Sequence, residues 1–263
     1  MRSFTVTTTW GSNHYQTYAK RCVQSIIQNW PKEVKKIFYP DDSQQQIIAG
    51  NTLYKSLIKS QPELQKFINR NKHNSLVQER MANPARAPFE YDVIRFSYKV
   101  FCMIDAAQTC NTDVLIFLDA DTVTYKTIDL KWLSHIVPEN KFTTFLGRPK
   151  KGFSETGFIG FNLRLPESKN FFNRWKEYYT NDLWTSLKGF TDSFTYDAAR
   201  LDTTDRDLDN DLNDGRYLGS RSAKHPFVNS ELGDYLDHLK GERKDIQSSV
   251  ADSKVKRSHK HWQ

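Results

Sequence analysis

An apolar run that ends in two acidic residues constrains this chain more than any other feature. Residues 113–118 read DVLIFL, and Asp119 and Asp121 follow directly. A short, continuous apolar run of this kind is typical of a central strand that is buried on both faces of a sheet. An unpaired buried carboxylate costs several kcal/mol of lost solvation. We therefore expect a compensating positive charge at the end of this strand.

A divalent cation is the compensating charge that this spacing favours. Two carboxylates separated by one residue can reach the same ion, directly or through a water, and that ion can neutralise a diphosphate. Because hard oxygen ligands select Mg²⁺ or Mn²⁺, these are the expected metals. Aspartate is also common in turns, so the two acids could simply cap the turn after the strand. The apolar run in front of them favours the metal site.

Predicted strands alternate with predicted helices along the chain. Strands are expected near residues 3–9, 34–39, 113–118 and 143–147, and helices near residues 15–29, 91–107, 130–136, 167–179 and 230–239. This alternation predicts an α/β fold, with a mixed, mostly parallel sheet flanked by helices. In such folds the ligand crevice lies at the carboxyl ends of the strands, where the two acids are expected.

One domain accounts for the length of 263 residues. We predict it over residues 1–250, with a polar helical insertion or lid at about 44–88, followed by a basic tail over 251–263 that is either solvated or an arm for a polyanion. The chain has no apolar stretch of about 18 residues, so no transmembrane segment is expected. Residues 1–9 lack the basic start and apolar core of a signal peptide, which predicts a cytoplasmic location.

Two motifs carry a resemblance to a known family. Residues 117–121, FLDAD, resemble the Asp-x-Asp motif of nucleotide-sugar glycosyltransferases of the GT-A fold. Residues 238–244, HLKGERK, resemble the His-x-x-Gly-x-x-Lys element of the family-8-like retaining members. The resemblance implies a GT-A fold, a nucleotide diphosphate sugar as donor with a UDP-sugar favoured, and retention of anomeric configuration.

The same resemblance implies roles for individual residues. His238 would complete the metal site with Asp119 and Asp121, and Lys244 would contact the diphosphate. The chemistry of these residue types agrees, because a neutral imidazole is a good ligand for Mn²⁺ and lysine supplies a positive charge. Gly241 would let the backbone approach a phosphate closely.

Further donor-binding candidates lie earlier in the chain. Asp92, Arg95 and Lys99 fall on one face of a predicted helix, which resembles the helix that directs a cation at the donor in related enzymes. Salt bridges on a solvated face would explain the same pattern. Thr8 closes the first predicted strand and the Asp41–Asp42 pair follows the second, where either could hold the base or ribose. Polar turn residues explain both of these almost as well.

Three stretches supply candidates for a carboxylate beside the reacting carbon. Residues 154–162 resemble the acceptor side of related enzymes, where small residues let a sugar pack closely, and residues 209–213 resemble their Asp-Gln-Asp stretch. Asp192 is the first choice for this carboxylate, and Glu155, Asp209 and Asp211 are the other candidates. Glu155 and Asn162 could also contact the acceptor. An inverting enzyme would need such a carboxylate as a base for the acceptor hydroxyl.

Sugar transfer from a nucleotide diphosphate sugar to a hydroxyl of a glycan or lipid-linked glycan is the function that these features favour. Nucleotidyl or phosphoryl transfer would use the same metal, although the chain has no phosphate-binding Gly-x-x-x-x-Gly-Lys-Ser/Thr loop. The net charge of +7 favours anionic partners in general. It leaves open a hydroxymethylated base in DNA as acceptor, and a non-enzymatic nucleic-acid-binding module, for which no binding motif is found.

Overall fold

The computed structural model describes residues 2–40, 47–148, 150–217 and 225–263. Within these residues the chain forms ten strands and nine α-helices. The strands are β1 (Phe4–Trp10), β2 (Lys35–Pro40), β3 (Ile47–Ala49), β4 (Thr52–Tyr54), β5 (Val114–Leu118), β6 (Thr122–Thr124), β7 (Thr143–Leu146), β8 (Glu155–Asn162), β9 (Asp209–Asp211) and β10 (Leu236–His238). The helices are α1 (Lys20–Asn29), α2 (Leu57–Ser60), α3 (Pro62–Asn71), α4 (Ser75–Ala82), α5 (Val93–Thr109), α6 (Leu130–Ile136), α7 (Glu167–Thr180), α8 (Asp192–Thr203) and α9 (Arg243–Ile246).

Eight of the strands form one mixed sheet in the order β3-β4-β2-β1-β5-β8-β7-β9. Four neighbouring pairs in it are parallel and three are antiparallel. This confirms the predicted α/β class with a mostly parallel sheet flanked by helices. The apolar run forms β5, which lies between β1 and β8 in the middle of the sheet and is buried at every residue.

The two faces of the sheet each carry a separate apolar core. Leu115 and Phe117 of β5 pack into one core with residues of α5, α7 and α8. Ile116 and Leu118 pack into the other core with residues of α1 and α6. Successive side chains of a strand point to opposite faces, so a strand between two helical layers must be apolar throughout. This is the physical reason for the DVLIFL run.

A second, two-stranded sheet lies where β5 ends. In this ribbon β6 pairs antiparallel with β10, and His238 lies opposite Thr122. The backbone N–H of Leu239 also donates to the carbonyl of Asp121 at 2.9 Å. The predicted helix over 230–239 is therefore wrong, because a 3-10 turn at Glu231–Asp234 is followed by β10. Pairing with β6 outweighs the local helical spacing in so short a segment.

The predicted insertion at about 44–88 is partly built into the main domain. Strands β3 and β4 extend the sheet at its edge, and Leu57, Leu64 and Phe67 are buried in the core beneath α5. Helix α4, by contrast, has no buried residue. The Asp41–Asp42 pair lies outside the described residues.

The basic tail is packed against the domain. Trp262 is buried, and the Arg257 guanidinium forms an ion pair with Asp234 at 2.8 Å. Within the described residues, no helix is both long and apolar enough to cross a membrane.

Candidate active site

A cleft of about 820 Å³ opens beside the end of β5. It is lined by residues from β1, α5, β8, the start of α8 and the segment after β10. The sequence-predicted residues that line it are Asp92, Arg95, Lys99, Asp119, Asp121, Glu155, Asp192, His238, Gly241 and Lys244. Residues more than 100 positions apart in the chain therefore share one cavity.

Four other predicted residues do not line this cleft, and one of them, Asn162, is buried at the end of β8. Thr8 is fully buried in β1, and its neighbour Thr9 lines the cleft instead. Asp209 and Asp211 line a separate cavity of about 640 Å³. There Asp209 is paired with Arg200, and Asp211 accepts the backbone N–H of Gly147 at 2.7 Å.

Asp119, Asp121 and His238 converge at the floor of the cleft. The His238 Nε2 atom lies 3.0 Å from Oδ1 of Asp121 and 3.4 Å from Oδ2 of Asp119. The His238 side chain is only 1% exposed. Backbone hydrogen bonds hold this arrangement, since Leu239 is bonded to Asp121 and the N–H of Asp119 donates to Gly157 at 2.9 Å.

The two carboxylates control the protonation of His238. Burial alone would lower the pKa of His238, but Asp121 and Asp119 outweigh it and raise the pKa to about 9. Without a metal, a protonated His238 therefore bridges the two acids. Burial would raise the pKa of Asp121, but the charges of His238 and of Lys244, 2.8 Å away, hold it well below its usual range.

The donor set suits a hard divalent cation. Two carboxylate oxygens and one imidazole nitrogen are ligands that Mn²⁺ and Mg²⁺ accept. Neighbouring ligands in an octahedral shell with Mg²⁺-like bond lengths lie about 3 Å apart. The 3.0 and 3.4 Å separations around His238 Nε2 match that spacing. Asp119, His238 and Glu155 also offer ligand atoms within 4.8 Å of one another.

Glu155 is more enclosed than the other acids. Its side chain is 3% exposed, forms ion pairs with Lys240 and, at 3.3 Å, with Arg148, and its Oε1 atom lies 3.7 Å from His238 Nδ1. Burial would raise the pKa of Glu155, but Lys240, Arg148 and His238 lower it strongly. The carboxylate is therefore ionised and neutralised behind the imidazole.

Lys99 joins Asp119 to Asp192. Its ammonium lies 2.7 Å from Oδ1 of Asp119 and 2.9 Å from Oδ2 of Asp192, and it also donates to the carbonyl of Thr156 at 2.7 Å. Burial would lower the pKa of Lys99, but the two carboxylates raise it. Asp192, the first residue of α8, is buried beside this ammonium.

Gly157 makes room for the His238 ring. A Cβ atom at this position would lie 2.3 Å from Cε1 and 2.4 Å from Nδ1 of His238. A Cβ at Gly160 would lie 2.5 Å from Val137 Cγ2. We expected small residues of this segment to accommodate an acceptor sugar, whereas these two accommodate protein side chains. The strand pattern alone gave no signal for these contacts.

Aromatic residues at one end of the cleft were missed by the sequence analysis. Trp10, His14 and Tyr18 all line it, with the rings of His14 and Tyr18 stacked at 5.2 Å. The Lys244 ammonium lies 4.9 Å from the Tyr18 ring centroid. Flat rings next to a cation suit a base attached to a phosphate. Their only sequence signal was an aromatic cluster around the start of the first predicted helix.

Comparisons with known proteins return structures only, since no family model and no curated protein matches the chain. The chain is similar to mouse xyloside xylosyltransferase 1 in its apo form, at 11% identity, over 81% of this chain and 86% of that one, with a TM-score of 0.49. It is similar to the galactosyltransferase LgtC in complex with donor and acceptor sugar analogues, at 12% identity, over 90% and 87%, with a TM-score of 0.47. It is also similar to the apo structure of the bifunctional glycosyltransferase WbbM, at 13% identity, over 92% of this chain but 46% of that one, with a TM-score of 0.47.

These three solved structures are of glycosyltransferases. Identities of 11 to 13% are too low to transfer the role of an individual residue from these proteins to this chain. The cleft combines two acids and a histidine with a nearby lysine, a group of aromatic rings and a buried acid, Asp192.

Proposed function

We propose that this protein is a metal-dependent glycosyltransferase that moves a sugar from a nucleotide diphosphate sugar to an acceptor hydroxyl. The observation that carries the proposal is the convergence of Asp119, Asp121 and His238 in one cleft, with the Lys244 ammonium 2.8 Å from Asp121. A carbohydrate acceptor and a UDP-sugar donor are the substrates that we favour.

Asp119, Asp121 and His238 would hold Mn²⁺ or Mg²⁺ in this proposal. When bound, the ion supplies positive charge that stabilises the leaving diphosphate as the anomeric bond breaks. His238 must give up the proton on Nε2 before it can bind the ion. Lys244 would leave Asp121 and contact the diphosphate, and Arg95, exposed on the cleft wall, would add a second positive charge.

Two carboxylates take different roles in the proposal. Asp192 would lie beside the reacting sugar, where its ion pair with the Lys99 ammonium orients it. Glu155 would orient His238 rather than meet the substrate, because Lys240 and Arg148 already neutralise it. The resemblance of residues 238–244 adds retention of configuration to the proposal.

The donor base would occupy the end of the cleft that Trp10, His14 and Tyr18 line. Gly241, with a φ of 57° and no atom within 4 Å of a built Cβ, would let the backbone approach a phosphate. Asp92 would act indirectly, since it caps α5 by accepting the N–H of Arg95 at 3.1 Å.

Transfer to DNA is less favoured. The basic tail was the sequence feature that suggested a polyanion, but its Arg257 and His261 are paired with Asp234 and Asp237. The charge of Arg257 is therefore already neutralised by an acid of the domain.

Metal and donor binding test the proposal directly. We expect Mn²⁺ to raise the melting temperature, and a nucleoside diphosphate to raise it further, because ligands of the folded state stabilise it. Asp119→Asn should abolish both effects and sugar transfer, whereas Asp245→Asn, at an exposed acid, should leave them intact.

Labelled donors separate the candidate reactions. Glycosyl transfer moves a label in the sugar to the acceptor. Nucleotidyl transfer instead moves a label in the nucleoside. Full activity of Asp119→Asn, or transfer of the nucleoside label, would refute the proposal.

A further inference from the structure

The strand that carries His238 is covered on its far side by residues 253–262, which we name the basic strap. Its lysines, Lys254, Lys256 and Lys260, are exposed. Its Trp262 is 7% exposed and joins the same apolar core as Leu236 of β10. The strap therefore turns its lysines to solvent and its apolar side to the domain.

Strand geometry links the strap to the metal site. Neighbouring side chains of β10 point to opposite sides, so His238 faces the cleft while Asp237 faces away from it. Asp237 is fully buried, and its Oδ2 atom accepts the backbone N–H of Ser249 at 3.0 Å. The same oxygen lies 2.8 Å from His261 Nε2. The strap is thus bonded to the residue next to the predicted metal ligand.

The other strand of the ribbon is held as well. Tyr125 directly follows β6, and its ring stacks on His261 with centroids 4.4 Å apart and planes 3° from parallel. Its hydroxyl accepts from Trp262 Nε1 at 2.6 Å and donates to the carbonyl of Gly233 at 2.5 Å. Two neighbouring strap residues therefore contact β10 and the residue that directly follows β6.

The turn that leads into β10 is built against Arg257. The guanidinium is 6% exposed and donates to Asp234 at 2.8 Å and to the carbonyl of Ser230 at 3.1 Å. A Cβ at Gly233 would lie 2.6 Å from Arg257 Nη2. Only a glycine lets the turn approach this side chain so closely.

We propose that the basic strap is a positioning element for the metal site. It fixes the β6–β10 ribbon, and the ribbon sets the distance between His238 Nε2 and Asp121. His261 and Trp262 act as positioning residues through Asp237 and Tyr125 and do not touch substrate. The expected effect on metal binding rests on the proposed function, whereas the expected effect on hydrogen exchange of the ribbon does not.

Hydrogen exchange tests the inference without any metal. In metal-free protein, Trp262→Ala and the milder His261→Ala should each speed exchange of the Leu239 and Tyr125 amides at least tenfold, since these amides close the ribbon. His261→Gln, which can still donate to Asp237, should restore part of the protection. Lys256→Ala and Lys260→Ala are matched controls that remove charge but no packing, and we expect wild-type exchange from them.

Mn²⁺ titration gives the functional readout. Residues that orient metal ligands typically change affinity by about 10- to 100-fold. We expect His261→Ala to weaken Mn²⁺ binding by about tenfold and to lower kcat more than it raises the KM for the donor, with an unchanged far-ultraviolet spectrum.

Several outcomes would overturn the inference. One is wild-type hydrogen exchange of the Leu239 amide in both Trp262→Ala and His261→Ala. Another is equally fast exchange of this amide in Lys256→Ala and Lys260→Ala, which would indicate a role for charge. Normal Mn²⁺ affinity in a strap variant with a loosened ribbon would also contradict it. If wild-type protein binds no Mn²⁺, the proposed function fails, and hydrogen exchange still decides whether the strap holds the ribbon.

Discussion

Replacing Gly157 by alanine should damage the metal site through a single added methyl group. Gly157 is not among the glycines with positive φ, so alanine fits its backbone and the effect is purely steric. The new Cβ would lie 2.3 Å from His238 Cε1, whereas ordinary contacts begin at 3.4 Å. The imidazole must therefore retreat by roughly 1 Å, far more than the tolerance of about 0.2 Å in metal–ligand distances.

The expected losses follow from this displacement. Misplacing a catalytic group by about 1 Å costs on the order of 100-fold in rate, and overpacking a core costs about 1–3 kcal/mol of stability. We expect Gly157→Ala to weaken Mn²⁺ binding by at least tenfold, measured by titration calorimetry, and to lower sugar transfer by about 100-fold.

Gly160→Ala is the matched control in the same strand. Its Cβ would lie 2.5 Å from Val137 Cγ2, a comparable overlap with an apolar side chain that does not line the cleft. It should lower the melting temperature to a similar extent and leave Mn²⁺ affinity unchanged. If Gly157→Ala binds Mn²⁺ and turns over like wild type, the packing of His238 against β8 does not control the metal site.

The remaining predictions concern charge. The folded-state pKa of His238, about 9, lies above the ordinary value of 6.5, so its stabilisation of metal-free protein is complete below pH 6.5 and lost as pH rises through 9. This amounts to about 3 kcal/mol, measurable by urea unfolding at pH 7 and above pH 10, and His238→Gln should remove that dependence. Below pH 9, Mn²⁺ affinity should fall by about tenfold per pH unit, because the ion displaces one proton; calorimetry that shows no such slope would contradict the assignment. Lys244→Ala should weaken binding of a nucleoside diphosphate by about tenfold and spare the unphosphorylated nucleoside. Asp192→Asn should lower kcat with unchanged Mn²⁺ affinity, and loss of Mn²⁺ binding would instead make Asp192 part of the metal site.

The residues that meet at the end of β5 could be picked out from the sequence because the signals there are local. A buried strand between two helical layers has to be apolar, and acids at its end stand out against that run. The sequence could not show which threonine of β1 lines the cleft. Thr7 and Thr8 are both fully buried, and no alternation of polar and apolar residues marks the side of β1 that faces the cleft.

Other features depend on how distant segments meet. His238 was identified by motif spacing, but the prediction for its element was wrong, because three residues of β10 become a strand only by pairing with β6. The contact between Gly157 and His238 depends on where β8 passes the ribbon. Asp192 could be separated from Asp209 and Asp211 only in three dimensions, since all three are acids next to polar residues.

The ion pairs of the cleft explain why a metal and a diphosphate should bind together. Four carboxylates, Asp119, Asp121, Glu155 and Asp192, face four cations, Lys99, Arg148, Lys240 and Lys244, with His238 between them. The acids are thus already neutralised by the protein, and a protonated His238 adds one positive charge. Exchanging that proton for a divalent ion raises the positive charge further, which is costly next to the buried His238. A diphosphate removes this cost, so each ligand should strengthen the binding of the other by the same factor.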